Sequence, residues 1–269
     1  MKAKFLAHLL LLIGSTTSYA APSADPWQFW QTFDGSNDAE IDHAIWQDIL
    51  SRYVRIGEDG INLFAYESAS QSSNLELNDY IQYMQGIDPR SYSLGEQRAY
   101  WINLYNALTV GLIIENYPVE SITKIGDGFF RFGPWDDEIA QVAEEKLTLN
   151  DIEHRILRPI WKDARMHFAV NCASIGCPNL QPIAFTQVNT ETLLQAATLE
   201  YLSHPRGLDF DDSGKLTLSS IFEWYAKDFG TSNEEMLAEL SKFVTAELAE
   251  ELREYRGRIS YQYDWSLNE

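Results

Sequence analysis

The stretch Glu96 to Asn116, EQRAYWINLYNALTVGLIIEN, is apolar nearly all the way round a helix, so other elements must cover it on several sides. A chain carrying such a helix has to fold around it, and Pro118 limits how far it runs. Asn103 and Asn106 stand at i, i+3 within it, on one face with Ala99 and Val110. A buried amide is hydrogen-bonded or costs a few kcal/mol, so each Asn either pins a loop or reaches into a site.

The flanking segments read as an α+β domain. Ile41, Ala44, Ile45, Ile49 and Leu50 recur at helical spacing, and Gly57-Glu58-Asp59-Gly60 marks a turn before Ile61, Leu63 and Phe64. A second helix is expected from about Leu75 to Met84. Leu147 to Asn150 leads into a helix that Thr148 would cap and Pro159 would limit. Its apolar stripe is Leu149, Ile152, Ile156, Leu157 and Ile160, with Glu153 inside the stripe and His154 at its border. Further on, Leu193 to Leu202 reads as a helix and Asp211 to Gly214 as a hairpin turn. Ser220 to Glu223 has the form of a capping box, residues 233 to 256 that of one acidic amphipathic helix, and Ile259 to Trp265 that of an aromatic strand.

Both cysteines of the chain fall in Arg165 to Leu180, RMHFAVNCASIGCPNL. Met166, Phe168 and Val170 alternate with His167, Ala169 and Asn171, the pattern of a half-buried strand. Cys172 would stand at its end, where Ala173, Ser174, Gly176 and Pro178 demand a tight loop. A thiol there is a candidate nucleophile, and a histidine is its usual base. On a regular strand His167 would lie on the opposite face, roughly 16 Å from Cys172 at about 3.3 Å per residue. His154 comes from a separate helix and escapes that restriction, so it is the expected base, with Glu153 or Asn103 as the third member.

Two other uses of these residues compete. Cys172 and Cys177 are spaced for a short disulfide loop, which would make the protein a stapled binding module. Cys172, Cys177, His167 and His154 also form a possible zinc set, although structural zinc sites gather two tight ligand pairs and the histidines make none. No glycine-rich phosphate loop, H-E-x-x-H or G-x-S-x-G is present, so nucleotide binding, zincin proteolysis and serine hydrolysis have no support, and no cofactor is expected.

Of the 269 residues 45% are hydrophobic, enough for one substantial core, and the formal net charge is −20. Such a field repels nucleic acid and anionic lipid, leaving a peptide-like or small-molecule partner as the expectation. Lys2 and Lys4, the apolar run Phe5 to Ile13 and the end Ser18-Tyr19-Ala20 read as a secretory signal cleaved after Ala20. The reading is therefore a periplasmic or secreted protein without stable membrane insertion: a leader over 1–20, a tail over 21–40 that packs back through Trp27, Phe29 and Trp30, and one domain over 41–269.

Ala99 to Ala107 (AYWINLYNA), Leu149 to Arg158 (LNDIEHRILR), His167 to Ser174 (HFAVNCAS) with Gly176-Cys177-Pro178, and Trp224 to Phe229 (WYAKDF) resemble successive blocks of the domain of unknown function 547, over about residues 90 to 230. The resemblance implies a papain-like or transglutaminase-like α+β fold, a buried core helix packed on a small antiparallel sheet, in proteins often exported from bacteria. It places Cys172, His154, Glu153, Asn103 and Asn106 at the shared site. Papain-type enzymes set the cysteine ahead of the histidine at a helix start, whereas here His154 comes first and loop follows Cys172. The expected function is thiol-dependent hydrolysis or transfer at an acyl or amide group. Cys172 would be the nucleophile and His154 the base, with Asn106, Ser174, Cys177 and His167 lining the substrate.

Overall fold

The computed structural model describes residues 22–72, 74–126 and 132–269; the expected leader and part of the loop before Trp135 lie outside them. Helix α1 (Ala44–Tyr53) runs into a hairpin of β1 (Val54–Ile56) and β2 (Asn62–Phe64), turned at the expected Gly57–Gly60. Helices α2 (Tyr66–Ser72) and α3 (Asn74–Gln85) follow, then α4 (Leu94–Glu115). Strands β3 (Ala140–Val142) and β4 (Glu145–Leu147) form a second hairpin before a π-helical segment, Asp151–Leu157, that continues as α5 (Arg158–Trp161). After the thiol loop come α6 (Thr190–Leu202), β5 (Leu208–Phe210), β6 (Leu216–Ser219), the short α7 (Ile221–Trp224) and α8 (Ala226–Phe229), α9 (Asn233–Leu240), α10 (Ala246–Glu254) and β7 (Ser260–Gln262).

Helix α4 is the expected core helix. Ser93 caps it by accepting from Glu96 N, and from Ala99 to Gly111 every residue is buried. Its main packing partners are α2, α3 and the π-helical segment. Among the described residues the strands form three small sheets: β1-β2 and β3-β4 are antiparallel pairs, and in the third, ordered β5-β6-β7, β7 runs parallel to β6 with Leu218 opposite Tyr261. A first apolar cluster surrounds α4, and a second gathers Phe168, Tyr201, Leu218, Phe222, Phe229 and Leu252. The segment after residue 21 packs back: Trp30 is buried, its ring edge-on to Trp101 with centroids 5.0 Å apart. Among the described residues no helix is long and apolar enough to cross a membrane.

Four local expectations are corrected. Residues 164–168 form a 3-10 turn capped by Asp163, not a strand. Met166, His167 and Phe168 are all buried, so the short alternation in the sequence did not mark two faces of a sheet. Pro159 does not end its helix, which runs on to Trp161 before Lys162 turns left-handed at φ 50°. Lacking an N–H, Pro159 leaves the carbonyl of Arg155 free, and Trp27 N donates to it at 3.0 Å. The acidic helix after 233 breaks at 241–245, where Thr245 caps a second one. Ser220 makes no side-chain cap; Oγ of Ser219 accepts from Ile221 N instead.

Candidate active site

The thiol loop is held from all sides by side chains that the sequence marks only in part. Asn106 on α4 donates from Nδ2 to Ala169 O (2.9 Å) and accepts at Oδ1 from Asn171 N (2.8 Å). Asn171 in turn accepts from Ala173 N and donates to Pro178 O, each at 2.8 Å. From the far side Tyr201 donates to Gly176 O and Arg206 to Ile175 O. The C-terminal segment lies along the same loop, with Gly176 N donating to Asp264 O at 2.8 Å and Ile175 N to Ser266 O at 2.8 Å. A Cβ on Gly176 would come within 2.7 Å of Asp264 N, so this close approach requires glycine. Asn103 makes a matching two-point clamp on Phe185, Nδ2 to its O at 2.7 Å and Oδ1 from its N at 3.0 Å. Both α4 asparagines thus pin backbone.

Cys172 sits at the bend of this loop, half-buried, just before Ala173, which is buried with φ 58°. A left-handed alanine is strained and persists only where its surroundings impose it. Around Sγ of Cys172 lie Sγ of Cys177 (2.9 Å), the hydroxyl of Tyr263 (2.9 Å) and that of Ser174 (3.3 Å), and the two hydroxyls are 3.0 Å from each other. Both cysteines are free thiols. Burial raises the Cys172 thiol, but its contacts with Cys177, Ser174 and Tyr263 outweigh it and bring the group below its usual range. Cys177 is fully enclosed; burial and the neighbouring Cys172 push it well up.

The expected histidine and glutamate meet each other rather than the thiol. In the π-helical segment the N–H of Arg158 reaches back five residues to Glu153 O, and Glu153, His154, Ile156 and Leu157 all turn inward. Oε1 of Glu153 lies 3.8 Å from Nδ1 of His154 and 3.5 Å from Nδ1 of His167, and Oε2 accepts from the Tyr105 hydroxyl at 3.1 Å. His167 Nε2 bonds Asp228 Oδ2 at 2.7 Å, and Asp228 takes a two-point bond from Arg158 at 2.6 and 3.1 Å. Tyr225 stacks on His167 with ring centroids 4.1 Å apart.

His154 is buried rather than at a solvent border, and Nη1 of Arg158 lies 3.0 Å from its Nδ1. A guanidinium only donates, so Nδ1 is the acceptor and the proton sits on Nε2. Burial and Arg158 lower this imidazole, partly offset by Glu153. His167 moves the other way: burial lowers it, but the bonds to Asp228 and Glu153 prevail and raise it. Burial opposes the charge on Glu153, yet His154, His167 and Arg158 bring its carboxyl down to about 2. Asp228 is likewise held well below the carboxylate range, by His167 and Arg158 against burial.

Of the eight expected site residues, the structure brings Cys172, Cys177 and Ser174 together in one group and Glu153, His154 and His167 in another. Asn106 joins the groups, because its neighbour Tyr105 holds Glu153 while Asn106 holds the loop. Neither histidine is hydrogen-bonded to Cys172. The four residues of the zinc alternative are divided between the groups, and among the described residues no cluster of three or more His, Cys, Asp or Glu is placed to hold a metal ion. Sequence reasoning missed Arg158, Asp228, Tyr105 and Tyr263. Arg158 and Asp228 lie inside quoted blocks, but only charge marked them; Tyr263 is one of several aromatics in the last segment.

The architecture is that of a mixed helix and strand protein in which a hydrogen-bonded loop presents a half-buried thiol beside a buried ion network. Residues 89–202 match the family described as "Protein of unknown function, DUF547". The matched segment contains all eight expected site residues, whereas Tyr225, Asp228 and Tyr263 come from beyond it. No curated protein and no solved structure matches the chain.

Proposed function

We propose that the protein is a thiol-dependent hydrolase or transferase acting on acyl or amide groups, with Cys172 as the nucleophile. One observation carries the reading: a half-buried thiol on a pinned, strained bend, with the hydroxyls of Ser174 and Tyr263 placed to hydrogen-bond its thiolate. Such a thiolate attacks a carbonyl carbon. The tetrahedral intermediate then collapses to a thioester as the leaving group takes up a proton from solvent and departs as the alcohol, thiol or amine. Water or an acceptor nucleophile then attacks the thioester, releasing the acyl group and returning the thiolate. The surroundings of Cys172 favour the thiolate and so lessen the demand on a base. His154, with Nδ1 held by Arg158, is assigned to the ion network rather than to taking the thiol proton. A papain-like or transglutaminase-like kinship and an exported location accord with this reading. So does a peptide-like or small neutral substrate, since the net charge of −20 disfavours polyanions.

The test is turnover of a panel of small esters, thioesters and peptide amides, with intact-mass detection of an acyl adduct on Cys172. Turnover lost in Cys172→Ala and an adduct trapped on the wild type are expected. Undiminished turnover in Cys172→Ala would end the proposal.

A further inference from the structure

The loop sets the second cysteine directly against the first. Sγ of Cys177 lies 2.9 Å from Sγ of Cys172 and accepts from Cys172 N at 2.9 Å. The two thiols differ in access: Cys172 is half-buried while Cys177 is 3% exposed. A sulfur–sulfur bond of about 2.05 Å needs a closing movement of less than 1 Å from this arrangement. The backbone that carries both sulfurs is already fixed by Asn106, Asn171, Tyr201 and the C-terminal segment. A structural staple needs neither an accessible sulfur nor hydroxyls directed at it, and Cys172 has Tyr263 and Ser174 on its sulfur. That asymmetry, one reachable thiol and one enclosed thiol behind it, matches the division between an attacking and a resolving cysteine.

We infer that Cys172 and Cys177 form a reversible dithiol–disulfide pair that exchanges with external disulfides, Cys172 attacking and Cys177 resolving. The thiolate of Cys172 attacks one sulfur of a disulfide RSSR, forming the mixed disulfide Cys172–SR and expelling one thiolate, which takes up a proton as RSH. Cys177 then attacks Sγ of Cys172, breaking the Cys172–SR bond and expelling the second thiolate, which takes up the proton that Cys177 releases and leaves as RSH. In sum RSSR is reduced to two RSH, and the two cysteine thiols are oxidised to one disulfide. A small dithiol runs the same steps in reverse. The pair occupies the sulfur that acyl transfer would use, so the oxidised protein would carry no acyl nucleophile. The exchange itself does not depend on the acyl-transfer reading.

The experiment equilibrates the purified protein, without air, in glutathione buffers of graded oxidised-to-reduced ratio, then quenches, alkylates and maps the peptide spanning 172–177 by mass. The expected result is a transition from two alkylated thiols to an internal disulfide within the buffered range, reversed by dithiothreitol. Glutathione should remain on Cys172 in Cys177→Ser and be absent from Cys172→Ser. Stable glutathionylation of wild-type Cys172 with no internal bond would overturn the inference. So would a pair that stays oxidised in the most reducing buffer, or reduced in the most oxidising one. The wild-type titration decides this even if a variant fails to fold. Acyl turnover, measured separately on the reduced protein, can fail without touching the exchange result, and the exchange can fail without touching turnover.

Discussion

The hydroxyl of Tyr263 lies 2.9 Å from Sγ of Cys172, which joins the last residues of the chain to a thiol ninety-one positions earlier. It also lies 3.0 Å from Oγ of Ser174, so the C-terminal segment both lines the thiol and fixes its neighbour. The site is therefore completed from outside the family segment.

Tyr263→Phe removes one hydrogen bond that holds the Cys172 thiol below its usual range, so that pKa rises. Alkylation by iodoacetamide at neutral pH should slow, because a smaller fraction of the thiol is ionised, and the midpoint of its pH dependence should move up. A pH–rate profile measures it; an unmoved midpoint in the variant would remove Tyr263 from the activation of the thiol.

His154→Ala should leave the alkylation rate of Cys172 within about twofold of wild type, because thiolate formation here rests on hydrogen bonds and His154 makes none to the sulfur. The same rate assay on the folded variant checks this. A drop of about tenfold or more would return His154 to the role of base.

Asn106→Ala strips a buried two-point clamp and leaves Ala169 O and Asn171 N unpaired beneath the thiol loop. Each orphaned buried group costs about 1–3 kcal/mol, so urea unfolding should show a loss of about 2–6 kcal/mol. A loss under about 1 kcal/mol would mean that water replaces the amide.

Acid should destabilise the fold through the ion network. The folded pKa of Glu153, about 2, lies below its ordinary 4.5, so its contribution is fully present above 4.5 and is lost as the pH falls toward 2. Asp228, also depressed, is lost in the same direction. His154 and His43 add to it, since burial depresses both, His43 to about 4, and the unfolded chain takes up their protons first as the pH falls below 6.5. His167 opposes this trend: its raised pKa contributes stability below 6.5 that is lost as the pH rises through the folded value. Urea melts across pH should show stability rising from acid toward neutrality, and Glu153→Gln should flatten the limb between 4.5 and 2. An unchanged acid limb in that variant would show that Glu153 does not carry it.

The segments whose burial is nearly uniform were legible in the amino-acid sequence, because their pattern is local. The all-round apolar run 96–116 became α4, and the glycine turns at 57–60 and 211–214 became hairpins. The sequence also marked Glu153 as a carboxylate in need of a partner and Asn103 and Asn106 as buried amides, since a polar group within an apolar stripe must be satisfied somewhere. It could not say by whom. His167 carries the same alternating neighbours in a strand or in a 3-10 turn, and only packing against Asp228, Glu153 and Tyr225 decided for the turn. The π-helical segment that turns Glu153 and His154 inward together, and the return of Tyr263 to Cys172, depend on contacts across the chain that no local periodicity encodes. The sequence by itself determined which residues had to be buried and where the thiol loop had to bend. The tertiary structure alone decided their partners, setting hydrogen bonds rather than a histidine beside Cys172, because the free energy of a buried polar group is fixed by whatever distant segment reaches it.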